Sequence, residues 1–110
     1  MRKINIGLIG FGNVGSEVIK ILRERKRFLL EKAGVELNIV KICDKDLVSK
    51  RNVKVEKSLL TTDPYEIIND PNVEILVELI GGINPAKEYI LKAIEKGKHI
   101  ITANKALLAE

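Results

Sequence analysis

The amino-acid sequence predicts an α/β fold: an open, parallel, five-stranded sheet in the order 3-2-1-4-5, with helices on both faces. Three observations lead there. Short apolar runs alternate along the chain with amphipathic stretches of helical period, which is the pattern of βαβ units. The runs at residues 4–9 and 75–80 are apolar almost throughout, as strands covered on both faces must be. Glycines stand where one type of segment gives way to the other.

Taken in order, residues 4–9 are Ile-rich and bounded by glycine, so they read as a buried strand. Over residues 13–32, Val14, Val18, Ile21, Leu22 and Phe28 or Leu29 recur at helical spacing, with charges between them and Gly34 as the stop. Residues 37–43 form a second strand, and the polar stretch 44–57 breaks any period and reads as a loop. Residues 58–61 give a short third strand. Asp63 then caps a helix over residues 65–68, with Pro64 at its first position. The strand at 75–80 closes on Gly81 and Gly82. Asn84-Pro85 predicts a cap for a helix that carries Ala86, Tyr89, Ile90, Ala93 and Ile94 on one face and stops at Gly97. Residues 99–102 make a fifth strand, and Asn104 is placed to cap a further helix.

Composition bounds the function. The 110 residues are 45% hydrophobic and 31% charged, which suits one globular domain over residues 1–110. The single cysteine, Cys43, forms no intrachain disulfide, which leaves the redox compartment unconstrained, with a reduced cytoplasm as the default. It reads as a small apolar residue of the second strand, placed near enough to the strand end to serve as an accessible probe. A net charge of +4 is too small to indicate nucleic acid or membrane. The cations Lys20, Arg23, Arg25, Lys26 and Arg27 are interleaved with Glu24 and lack an aromatic platform. The most apolar stretch, residues 73–83, is broken by Glu74 and Glu78 and falls short of the roughly 20 residues of a membrane span. His99 stands alone, so no metal site is expected.

The sharpest motif is Gly10-Phe11-Gly12-Asn13-Val14-Gly15, a G-x-G-x-x-G between the first strand and the first helix. Gly10 allows the tight turn, Gly12 lets a pyrophosphate approach the backbone, and Gly15 lets the helix pack on the strand. The helix start offers unpaired amides and a partial positive charge to phosphates. The predicted sheet is thus a Rossmann-type domain for NAD or NADP. Its ribose-binding acid is Asp44 at the end of the second strand, 29 residues after Gly15 (44 − 15) where about 20 is usual. A long first helix accounts for the difference. Lys45, and beyond it Lys50, Arg51, Lys54 and Lys57, leave the choice between NAD and NADP open. Those beyond Lys45 read mainly as a solvated loop.

Two more strand ends are unusual. Gly81 and Gly82 let backbone approach a flat ring such as nicotinamide. Glu78 lies within an apolar strand and needs a cationic or hydrogen-bonding partner, for which Lys105 is a candidate. Lys105 also falls in the first turn of a predicted helix, where the dipole disfavours a cation unless an anion is near.

The segments at residues 6–15, 77–82 and 102–109 (the last reading Thr-Ala-Asn-Lys-Ala-Leu-Leu-Ala) together resemble the homoserine dehydrogenases, over essentially the whole chain. The resemblance implies an oxidoreductase that interconverts L-homoserine and L-aspartate 4-semialdehyde with NAD or NADP, on the route to threonine, isoleucine and methionine. It also implies a cytoplasmic homodimer without nucleic acid or membrane partners. Carried over residue by residue, Phe11, Asn13 and Val14 line the pyrophosphate, and Asp44 and Lys45 the adenosine ribose. Gly81, Gly82, Thr102 and Asn104 line the nicotinamide side, and Lys105 is the catalytic lysine at the substrate. Family members are much longer than 110 residues, so the chain is expected to be a coenzyme-binding fragment that binds without turnover. The competing expectation is a stand-alone NAD(P)-binding sensor or regulatory module without chemistry.

Overall fold

Register decides what this fold can do, because it brings every strand to the same edge. The structure, a computed structural model, describes residues 2–49, 51, 53–80 and 84–102. Five strands are β1 (Arg2–Ile9), β2 (Val35–Cys43), β3 (Leu60–Thr61), β4 (Ile75–Glu78) and β5 (His99–Thr102). The α-helices among the described residues are α1 (Asn13–Ala33), α2 (Tyr65–Ile68) and α3 (Ala86–Glu95). All neighbouring strands are parallel, in the order β3-β2-β1-β4-β5. Thr61, Cys43, Ile9, Glu78 and Thr102 are register partners in turn across that sheet, so all five carboxyl ends form one row.

The two faces follow from alternation along the strands. Ile6 and Leu8 of β1, with Ile42 and Val77, pack against Ile19 of α1. On the other face Ile9, Cys43 and Leu76 pack against Ile67 and Ile68 of α2 and Ala93 of α3. Fully burying an Ile or Leu contributes about 1.5–3 kcal/mol, so these layers hold the strand ends firmly in place.

Differences from the sequence expectation are local. β1 and β2 begin two residues earlier than their apolar runs, because Arg2↔Val35 and Lys3↔Glu36 pair at the exposed end of the sheet. β4 stops at Glu78 rather than residue 80, since the Ile80 amide turns to donate to Glu78 Oε2 at 2.7 Å. The third strand shrinks to two residues behind a single 3₁₀ turn, Lys57–Leu59. At α2 Pro64 takes the N-cap position rather than Asp63, although Asp63 Oδ1, one residue before it, still accepts the Tyr65 amide at 2.9 Å. Asn84 does not cap: Pro85, joined to it by a cis bond, takes that position and has no side-chain donor or acceptor to cap α3. Gly34 ends α1 in the left-handed conformation, as expected. The residues after Thr102, including Asn104 and the further helix it was expected to cap, lie outside the described residues.

Candidate cofactor site

The turn from β1 into α1 depends on two glycines. Gly10 has φ +110°, and a β-carbon there would stand 2.9 Å from the Leu79 carbonyl carbon. A β-carbon on Gly15 would stand 2.2 Å from the Gly10 carbonyl oxygen, so α1 leaves the sheet in direct contact with its own turn. Around Gly12 no described atom comes within 4 Å of the corresponding position. Space therefore opens over the middle of the turn. Among the described residues no side chain caps α1, and its first turn holds no acidic residue. Its first amides and the positive end of its dipole are left for an external anion. Asn13 and Val14, in that first turn, are exposed.

Asp44 directly follows β2, where the register row places it beside this turn. Its Oδ2 accepts the Phe11 amide at 2.7 Å, and its Oδ1 accepts the Asp46 amide at 2.9 Å. Each carboxylate oxygen can accept twice, so Asp44 keeps capacity for a hydroxyl pair. The Phe11 ring is turned inward and only 2% exposed, so Phe11 faces the site through its backbone.

A cleft of about 300 Å³ lies above the row of strand ends. Gly10, Gly12, Asp44 and Lys45 line it, four of the residues singled out in the sequence. Its remaining walls include Thr62, Pro64, Leu79, Ile80 and Tyr89, which sequence reasoning missed. For Thr62 and Leu79 a signal existed, since each directly follows a strand end. Tyr89 gave none, because its place on α3 reads as ordinary helical core.

At the other side of β1, Glu78 is fully buried. Its Oε1 accepts the Thr102 hydroxyl and its Oε2 the Ile80 amide, both at 2.7 Å. Among the described residues the partners of this carboxylate are hydrogen-bond donors and no salt bridge to it is found. Thr102 is thereby fixed at the end of β5. Gly81, Gly82, Asn104 and Lys105 lie outside the described residues.

Cys43 corrects the expectation of an accessible probe. It is 4% exposed, and burial, followed by the charge of Asp44, pushes its thiol up to about 11. Much of the charge along α1 is engaged locally: Lys20 with Glu17, Arg27 with Glu31, Arg23 with the Lys54 carbonyl, and Lys26 with Asn38. Among the described residues no group of three His, Cys, Asp or Glu side chains is placed to hold a metal, and no helix is long and apolar enough to cross a membrane.

A parallel sheet in this order, with a glycine turn opening onto an uncapped helix and an acid at the next strand end, defines a dinucleotide-binding domain of the doubly wound class. Comparison with known proteins narrows the class. Residues 10–110 match the model of the homoserine dehydrogenase NAD-binding domain, and the chain belongs to that family. It is 42% identical over 109 residues to homoserine dehydrogenase of Bacillus subtilis, covering 99% of this chain and 25% of that one. The crystal structure of Staphylococcus aureus homoserine dehydrogenase at pH 6.0 superposes with a TM-score of 0.90 at 39% identity, over 97% of this chain and 28% of that one. The homoserine dehydrogenase structure from Thiobacillus denitrificans gives 0.85 at 38% identity, over 99% and 25%. The chain thus spans about a quarter of the length of these relatives.

Proposed function

We propose that this chain, as one domain over residues 1–110, supplies the coenzyme-binding part of an enzyme that interconverts L-homoserine and L-aspartate 4-semialdehyde. The observation that carries the reading is the open face over Gly12 at the uncapped start of α1, next to an Asp44 carboxylate with acceptor capacity to spare. Those features match the diphosphate that every pyridine dinucleotide carries and the hydroxyls of its adenosine ribose, a 2′,3′-diol in NAD and the 3′-hydroxyl alone in NADP. Gly12, Asn13 and Val14 would receive the diphosphate, and Asp44 with Lys45 the adenosine ribose. Glu78 keeps Thr102 in place on the side where Gly81, Gly82 and Asn104 would flank the nicotinamide. When bound, NAD or NADP supplies the hydride acceptor.

In the complete enzyme Lys105 would hold the proton of the homoserine hydroxyl. An amine with the ordinary pKa of about 10.4 must be lowered to serve as a base near neutrality. The assembly would be a cytoplasmic homodimer acting on a small-molecule substrate. For the 110-residue chain the expected result is saturable binding of NADH or NADPH, read by calorimetry, without homoserine-dependent coenzyme reduction. Failure to bind either coenzyme contradicts the reading. In a complete enzyme, Lys105→Ala should reduce turnover far more than coenzyme affinity, and unchanged turnover would remove the lysine from the mechanism.

A further inference from the structure

Arg51 departs from the solvated loop that the sequence leads one to expect. Its side chain is 11% exposed, and its guanidinium lies 4.3 Å from the centroid of the Phe11 ring. Nε donates to the Phe11 carbonyl, Nη1 to the Ser49 carbonyl at 2.8 Å, and Nη2 to the Asp46 carbonyl. Nη2 also faces Asp44 Oδ1 at 3.9 Å. Asp46 closes the same loop from within: its carboxylate accepts the Val48 and Ser49 amides at 2.9 and 3.0 Å and the Ser49 hydroxyl. The segment after β2 is therefore wound around one arginine.

Phe11 is the middle residue of the glycine turn, and both of its backbone polar groups are taken. Its amide goes to Asp44 and its carbonyl to Arg51. The two peptides that flank Phe11 are thus held in one orientation, although Gly12 has the conformational freedom to turn the second of them. A ligand meeting this turn finds the amides already aimed, and does not have to order them on binding.

We propose that Arg51 is a positioning residue for the coenzyme site: it sets the Phe11–Gly12 peptide for the diphosphate and Asp44 for the ribose 3′-hydroxyl, both shared by NADH and NADPH, and does not read the 2′-phosphate. The proposal rests on the coenzyme reading of the site. An arginine that reads phosphate presents an open fork of donors. Here all three guanidinium nitrogens already donate to backbone carbonyls, and among the described residues the cation that lines the cleft is Lys45.

The test is titration of the 110-residue chain and its Arg51→Met variant with NADH and with NADPH, at a temperature where circular dichroism shows both proteins folded. Methionine keeps much of the stacking volume over Phe11 and removes every donor. The expected result is an equal loss of affinity for the two coenzymes, about tenfold, as follows from releasing roughly one ordered residue. Arg51→Lys should recover part of that loss, and it replaces the methionine variant if that one does not fold. A loss confined to NADPH overturns the proposal and makes Arg51 the phosphate reader. Unchanged affinities with a lowered melting temperature overturn it in favour of a purely structural role. If the parent chain binds neither coenzyme, the underlying coenzyme reading fails, and the proposal with it.

Discussion

Across 33 residues of sequence, the Phe11 amide donates to Asp44 Oδ2 at 2.7 Å, so the glycine turn and the acid of the second strand are one mechanical unit. Asp44→Ala would leave that amide without its acceptor. The expected cost is about 1–3 kcal/mol of stability, together with weaker binding of both coenzymes. Urea unfolding and coenzyme titration on the same preparation check the two effects. A variant with parental stability and parental affinity would show that the link is incidental.

Gly12 and Gly15 should separate binding from folding. Gly15→Ala forces a methyl to within 2.2 Å of a backbone oxygen, an overpacking expected to cost about 1–3 kcal/mol or more. Gly12→Ala meets only open space, and its φ of −90° suits alanine, so stability should change by less than about 0.5 kcal/mol. The same methyl stands where the diphosphate would approach, so coenzyme binding should fall steeply. Thermal melts and titrations of the two variants should therefore give opposite patterns.

Glu78 should prove structural, because its carboxylate is fully buried. Removing its carboxylate as Glu78→Ala takes the acceptor from the Ile80 amide and leaves a cavity at the end of β4. The expected loss is about 1–3 kcal/mol from the hydrogen bond alone, with the cavity adding to it. Glu78→Gln keeps the volume and one acceptor, so its urea midpoint should fall between those of the parent and the alanine variant.

Cys43 gives a pH prediction with a definite sign. Its folded thiol is raised to about 11, above the roughly 8.5 of an unfolded cysteine. A raised acid pKa means the folded state favours the protonated thiol. That contribution is fully present below about pH 8.5 and is lost as the pH climbs through 11. Alkylation at pH 8 should be slower in the folded chain than in urea by on the order of a hundredfold, from the thiolate fraction alone. Comparable rates in the two states would contradict the burial of this side chain.

Much of this was written in local sequence. The alternation of apolar runs with helical stretches, and the glycines at their junctions, led to the strand order, because connection rules leave few ways to wind such a chain. Gly10, Gly12, Asp44 and Lys45 were legible for the same reason: each sits at a strand end whose position is set by topology. Arg51 was not. Its role depends on a stack over Phe11 across 40 positions of sequence, and a polar loop with several cations looks the same whether one of them is buried or none is. Tyr89 was hidden because an aromatic on a helix face reads as core. Asn84 misled because a residue that caps well in general gave way to the proline after it.

The backbone amides at the start of α1 are expected to receive the diphosphate of a pyridine dinucleotide. The most direct test is a heteronuclear NMR titration of the folded chain with NADH, following the amide signals of Gly12, Asn13 and Val14. Saturating shifts are expected at these three, larger than those along β3. Signals that stay in place at millimolar NADH, in a chain whose spectrum shows it folded, would contradict diphosphate binding there.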